Sequence, residues 1–290
     1  MPLSALALVI VAALLHAVWN IAAKRAGGNR HLPMLSGLVV VVLWLPLALW
    51  FGVRELAQWP LAAWLMVLAS ALTHLLYFQA LLKGYRVADL TVVYPVARGS
   101  GPLISAVGAV LLLDEAISGA GVFGVLAVCG GVFLVAGGPA LWAAPDRQRV
   151  LAGLRWGSLT GLTIAAYTVL DGYTVKVLLV SPVLLDYFGN LFRLPFLLPK
   201  TLRDPEGFKQ ALREYWPAAL AVGGLGPAAY TLVLFAMQSA PLSHVAPARE
   251  VSMLFAALLG GHLLDEGARG WRIAGAGCIA LGVVALALGG

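Results

Sequence analysis

Runs of Leu, Ala, Val and Gly about 20 residues long recur along the chain, separated by short segments that collect Lys, Arg, Pro and Asn. Helices of about 20 mainly apolar residues cross roughly 30 Å of hydrocarbon. Ten spans are predicted, at about 3–23, 33–52, 60–82, 89–113, 119–138, 153–175, 181–199, 215–238, 243–264 and 270–288. Lipid offers no partner to backbone polar groups, and helices satisfy them internally. The predicted fold class is an all-α membrane protein of ten transmembrane helices. The longest loops are expected between spans seven and eight and at 138–152, too short for a soluble domain. The first run has no basic segment before it and carries His16, Trp19 and Asn20, so it reads as a retained helix, not a cleaved signal.

Composition agrees with this pattern. The chain has 290 residues, 61% hydrophobic and 11% charged, with a mean hydropathy of +0.92. A soluble domain runs near 25% charged, so a water-soluble enzyme is excluded. The net charge of +6 does not point to nucleic acid, because the basic residues lie mostly between apolar runs. Fourteen of the 19 Lys and Arg fall in loops 1–2, 3–4, 5–6, 7–8 and 9–10. Arg54 and Lys176 fall on the face with the termini, and Arg98, Arg193 and Arg249 lie inside spans. The positive-inside rule then puts both termini outside the cytoplasm. Cys129 and Cys278 sit in small-residue spans and suggest close helix packing, not redox or metal chemistry. No nucleotide-binding, hydrolase or metal-ligand motif is present, so neither enzyme activity, cofactor nor metal is expected.

The chain repeats itself. Ala88, Leu90, Val93, Pro95, Arg98 and Asp114-Glu115 are matched by Ala240, Leu242, Val245, Pro247, Arg249 and Asp265-Glu266, each set followed by a glycine-rich span. The units are 1–138 and 153–290, with a connector at 139–152. Five helices per unit is an odd number, so the second unit enters from the opposite side. Such inverted repeats characterise secondary transporters with a midplane site at the repeat interface. Similar Leu-, Ala- and Gly-rich helices can also look alike by composition alone.

Ionisable side chains inside a membrane mark cavities or partners. Candidate substrate-binding residues are Arg98 with Tyr94 one turn before it, and Arg249 with Glu250. Pro95, Pro102 and Pro247 are candidate hinges, since each removes a helical hydrogen bond and frees a carbonyl four residues back. A guanidinium grips a carboxylate, and an acid or freed carbonyl accepts an ammonium, which together suit an α-amino acid. The arginines can equally pair with acids across the bundle. His16, Trp19 and Asn20 form one polar-aromatic stripe; His74, Tyr77 and Phe78 form another. Tyr167 shares a face with Asp171 in the sixth span, and Tyr230 stands in the eighth. Such rings either pack or form a cage for a flat or cationic group. Asp171, Glu250 and His16 are the candidates for proton coupling. Spans 1, 3, 4, 6, 8 and 9 should line the cavity. The acidic pairs Asp114-Glu115 and Asp265-Glu266 read as solvated turn and cap residues, and the glycines of spans five and ten permit close helix contact, within the chain or at a dimer face.

These residues resemble the drug/metabolite transporter superfamily, in its ten-helix EamA-type branch. The resemblance rests on the paired five-helix units, on Pro102 thirteen residues before Glu115, on His16-Ala-Val-Trp19-Asn20 followed by Lys24, and on Tyr94-Pro95-Val-Ala-Arg98-Gly99. It implies an inner-membrane exporter of small organic metabolites working by alternating access, aromatic and other apolar amino acids among the cargo. Efflux of cationic or hydrophobic drugs and flipping of a lipid-linked sugar are the alternatives. The partners expected are a small-molecule substrate and the lipid bilayer, with the protein a monomer or homodimer. Met253 stands where the first unit has Pro102, so the halves are not equivalent. Members of the branch tend to carry basic residues at their termini, the opposite of the distribution here.

Overall fold

The computed structural model describes residues 1–26, 29–136, 138, 147–259 and 269–289, and those in regular structure are helical. The first half holds α1 (Leu3–Arg25), α2 (Leu32–Leu43), α3 (Leu45–Glu55), α4 (Leu61–Val87), α5 (Leu90–Leu112) and α6 (Gly119–Val135). The second holds α7 (Arg147–Lys176), α8 (Pro182–Leu202), α9 (Pro205–Ser239), α10 (Leu242–Ala248), α11 (Ser252–Leu259) and α12 (Arg269–Leu288). Among the described residues five helices, α1, α4, α5, α9 and α12, are individually long and apolar enough to cross a membrane. The pair α2–α3 makes a sixth if counted as one span. The other predicted spans are helical but fall short of that measure. Thus α6 has 17 residues, α10 and α11 are separated by the 3-10 turn Arg249–Val251, and α7 and α8 carry Asp171, Asp186, Asn190 and Arg193 within their lengths.

Three expectations change. The second span bends by 59° between α2 and α3, because Pro46 in the first turn of α3 has no N–H and crowds the carbonyl four residues back. The Trp44 indole at the bend donates to the Gly223 carbonyl at 3.2 Å. The supposedly long loop between spans seven and eight shrinks to Arg203 and Asp204. Asp204 caps α9, its Oδ1 accepting from the Gly207 amide at 3.1 Å, with Pro205 and Glu206 in the first turn. That arrangement extends α9 to 35 residues. Finally, α5 runs unbroken through Pro95 and Pro102, whereas the helix that contains Pro247 gives way to the 3-10 turn one residue later.

Glycines set the direction of packing. In the α6–α12 seam a Cβ on Gly124 would meet the Gly282 carbonyl at 2.8 Å, and one on Gly131 the Gly275 carbonyl at 2.7 Å. Partner numbers fall as α6 numbers rise, so these corresponding helices of the two halves run antiparallel. The glycine stripe is therefore consumed within one chain. Gly153, Gly157 and Gly161 of α7 meet Val92, Val96 and Ser100 of α5 in rising order, a parallel pair. Likewise α1 packs along α9 as α7 packs along α4, an exchange expected of two halves related by a twofold axis.

The face with the termini is stapled by Glu115. Its carboxylate accepts from Lys176 Nζ at 2.6 Å and from the amides of Leu242 and Ser243 at 2.7 and 2.9 Å. Lys176 also donates to the Ala240 carbonyl. With a side chain only 9% exposed, Glu115 is not the solvated turn residue expected, because it caps a helix of the other half. Its mate in sequence, Asp265-Glu266, lies outside the described residues, as does most of the connector. On the same face the Met1 ammonium donates to the Ala287 carbonyl at 2.9 Å, and Glu55 accepts from the Ser181 amide at 3.1 Å. On the opposite face Asp204 pairs with Arg30 and His31, and Asp89 with Arg149 at 2.9 Å.

Gly131→Ala is expected to destabilise the protein by about 1–3 kcal/mol, since the added methyl meets backbone that cannot move alone. Gly130→Ala, with nothing within 4 Å of its Cβ, leaves stability unchanged. Thermal unfolding in detergent compares the two. Burial works to raise the Glu115 pKa, but Lys176 and the two amides outweigh it and hold the carboxyl below its ordinary 4.5. A depressed carboxylate contributes stability above its ordinary value, and that stability is lost as pH falls through the native one. Asp204, held at about 2 by His31 and Arg30, acts on the same acid limb. Glu115→Gln should cost about 1–3 kcal/mol at neutral pH and flatten the acid loss of melting temperature without abolishing it.

Candidate functional site

The break after Pro247 brings three charges into the bundle. A proline ends the regular helix, and the 3-10 turn that follows carries Arg249 and Glu250 side by side. Glu250 is 1% exposed. Its Oε2 lies 2.9 Å from Arg98 Nη2 on α5, and its Oε1 lies 3.8 Å from Arg249 Nε. Arg98 also donates to Ser252 Oγ and Arg249 to Thr168 Oγ1, both at 3.4 Å. Arg98 is thus paired across the bundle. The pairing is electrostatic and not a matched fork: Arg98 Nε, Arg249 Nε and both Glu250 oxygens lack an aligned hydrogen bond. Two guanidiniums and one carboxylate leave one surplus positive charge.

Beside this triad stands a stack of rings. His74 of α4 stacks on Tyr167 of α7 at 3.9 Å between centroids, and Tyr77 meets the same ring edge-on at 5.8 Å. Tyr230 of α9 stands edge-on to His74 at 5.8 Å and to Tyr167 at 6.4 Å. Its hydroxyl donates to Asp171 Oδ2. The spacing that made His74–Tyr77 and Tyr167–Asp171 two separate helical stripes therefore builds one cluster. Tyr167 and Thr168, adjacent on α7, connect it to Arg249.

The other candidates stand apart. His16 and Trp19 pair edge-on at 4.9 Å, with His16 in electrostatic reach of Arg98 and Arg249. The Trp19 indole N–H is buried without an acceptor. Asn20 is exposed and spends its amide on the His16 carbonyl of its own helix at 2.7 Å. Tyr94 and Phe78 are each 37% exposed and lie outside the ring stack, although Tyr94 remains in electrostatic reach of Arg98.

Span seven was not expected to line the site, yet α8 contributes Asp186 and Arg193. With Ser70 and His74 of α4, Asp171 of α7 and Tyr230 of α9 they surround a void of about 10 Å³, room for roughly one water. Asp186 accepts from Asn190 at 3.1 Å, and Arg193 Nε donates to the Gly189 carbonyl at 2.9 Å. The signal was present in the sequence: Asp186, Asn190 and Arg193 fall at i, i+4 and i+7 on one helical face. Among the described residues no group of three or more His, Cys, Asp and Glu side chains is placed to hold a metal ion.

The sequence pattern of the EamA-like transporter family matches residues 3–137 and again residues 151–288. A crystal structure of a protein is similar with a TM-score of 0.76 at 19% identity over 98% of each chain; at that identity the likeness concerns the fold. No curated protein matches.

Removing Glu250 leaves two buried guanidiniums facing each other, which typically costs about 3–5 kcal/mol. Glu250→Ala is therefore expected to unfold at markedly lower temperature than wild type. Adding Arg98→Ala to it should recover part of that loss, and a double-mutant cycle on melting in detergent measures the coupling.

Proposed function

The chain belongs to the EamA-like transporter family, and from that premise we propose that it carries amino acids with apolar or aromatic side chains across the cell's inner membrane, outward. Members of the family are transporters, not enzymes, so the buried charges are read here as binding groups. The observation that carries the proposal is the triad of Arg98, Arg249 and Glu250, with unmatched donors and acceptors side by side. A zwitterion supplies what they lack: its carboxylate takes the free guanidinium N–H groups, and its ammonium takes the Glu250 oxygens. The surplus positive charge favours this over a purely cationic drug. The rings of His74, Tyr77, Tyr167 and Tyr230 supply flat apolar surface a short distance along α7 for the side chain.

Alternating access fits the fold. Arg98 comes from the first half, while Arg249 and Glu250 come from the second, so rocking one half against the other remakes the triad. The Glu115 staple closes the face with the termini, and we assign the opposite, more basic face to the cytoplasm.

The test is reconstitution into liposomes with labelled tryptophan or phenylalanine. Arg98→Ala should lower transport about tenfold or more, the equivalent of one lost charged hydrogen bond at about 1.5–3 kcal/mol. Arg98→Lys, which keeps the charge but not the fork, should fall between. Tryptophan transport at the full wild-type rate by Arg98→Ala removes this site from the mechanism.

A further inference from the structure

The pocket between α4, α7, α8 and α9 is separate from the triad, and its polar groups are not explained by packing. Asp171 is 0% exposed. One of its oxygens accepts from Tyr230, while the other, Oδ1, is buried with the Ser70 hydroxyl nearby and no aligned hydrogen bond. Leaving a charged acceptor unmet in this way is costly. Asp186 lines the same void, with one oxygen taken by Asn190. Arg193 also lines it, yet lies beyond ion-pair distance of either acid, its Nε taken by the Gly189 carbonyl.

We propose that this pocket is a proton-binding site, with Asp171 Oδ1 as the principal acceptor and Asp186 sharing the charge. Two carboxylates and one guanidinium leave the site with one net negative charge, and one bound proton neutralises it. Binding forms an O–H bond at the carboxylate from a hydronium ion and leaves water behind; release reverses this, and no electron moves. The charged and titratable groups facing Asp171 are His74 from α4, Asp186 and Arg193 from α8, Tyr230 from α9 and Arg249 from the 3-10 turn. His74 suits a relay: its Nδ1 lies 2.9 Å from the Ser70 carbonyl. A carbonyl only accepts, so Nδ1 carries the hydrogen and Nε2 of the neutral ring is left to accept. The size and lining of the pocket disfavour a metal ion. The void admits roughly one water, and Arg193 opposes a second fixed cation.

The consequence for transport rests on the function proposed above. Asp171 bonds to Tyr230, and Tyr230 contacts the rings beside the triad, so loading the acid alters the wall of the substrate site. A proton taken up on one face and released on the other would then accompany each turnover.

Two measurements separate the claims. Infrared difference spectra of the full chain in lipid, between acidic and alkaline buffer, should contain a protonated-carboxyl stretch. That band should be lost in Asp171→Asn, weakened or shifted in Asp186→Asn, and kept in Glu250→Gln. Should Asp171→Asn fail to fold, Tyr230→Phe, which keeps the acid and removes its donor, must move the titration midpoint. A band unchanged in Asp171→Asn and Tyr230→Phe, or one that follows sodium and not pH, overturns the assignment. In liposomes holding a pH-sensitive dye, the ratio of protons to labelled tryptophan moved should fall to zero in Asp171→Asn, whatever transport remains; an unaltered ratio overturns the coupling. A wild-type protein that moves no tryptophan defeats the amino-acid reading while the infrared result still decides the proton site.

Discussion

An unpaired charge at hydrocarbon depth costs several kcal/mol, so Arg98, Arg249 and Glu250 can share the interior of this bundle only as a group. That requirement shapes the chain around them. Pro247 ends α10 after seven residues, and the tighter 3-10 turn sets Arg249 and Glu250 where each meets a partner from a different element. Arg98 reaches Glu250 from α5 of the other half, and Thr168 of α7 takes Arg249. The two halves are thereby tied at their centre by an interaction that neither can complete alone. It is an incomplete tie, held by charge more than by aligned hydrogen bonds.

The same accounting operates at the faces. A helix that begins at a membrane boundary exposes amides with no partner in its own turn. For α10, whose first flanking residue is Pro241 with no side-chain cap, Glu115 of the other half supplies the acceptor and Lys176 neutralises it. The corresponding start of α5 has Asp89 at that place, and Asp89 is turned to Arg149. The halves are thus alike in helix order and unlike in how each end is fastened. Two end closures with different chemistry can have different strengths.

Much of this was legible in the residue order. Apolar run length marked the helices, and the Pro–Arg–Asp-Glu recurrence marked two units of odd helix number, whose opposite threading appears in the antiparallel glycine seam of α6 and α12. Several of the intramembrane charges and ring stripes meet in the fold, because a helix presents i and i+4 on one face whatever it packs against. What could not be read was which faces meet. Glu115 looked like a turn residue because its role depends on amides 127 and 128 positions away. Pro95 and Pro102 resembled Pro247 locally, yet α5 runs on through its prolines, packed along the glycines of α7, while the helix at Pro247 ends at Ala248. The bend at Pro46 and the Asp204-Pro205 cap were signalled by known local chemistry and were outweighed by hydropathy. The polar face of α8 was visible too, but not that it packs against Asp171 and Tyr230.

One helix carries residues of both buried polar clusters. On α7, Tyr167 supports the ring stack, Thr168 receives Arg249, and Asp171 closes the pocket with Tyr230. These three lie within about one turn of each other on a helix, whose rise is about 1.5 Å per residue, so a shift of α7 by even a fraction of a turn disturbs all three contacts together. The glycines that press α7 against α5 allow little sideways movement, since added bulk there meets side chains and backbone at once. The charged triad and the buried acids are joined through that single helix.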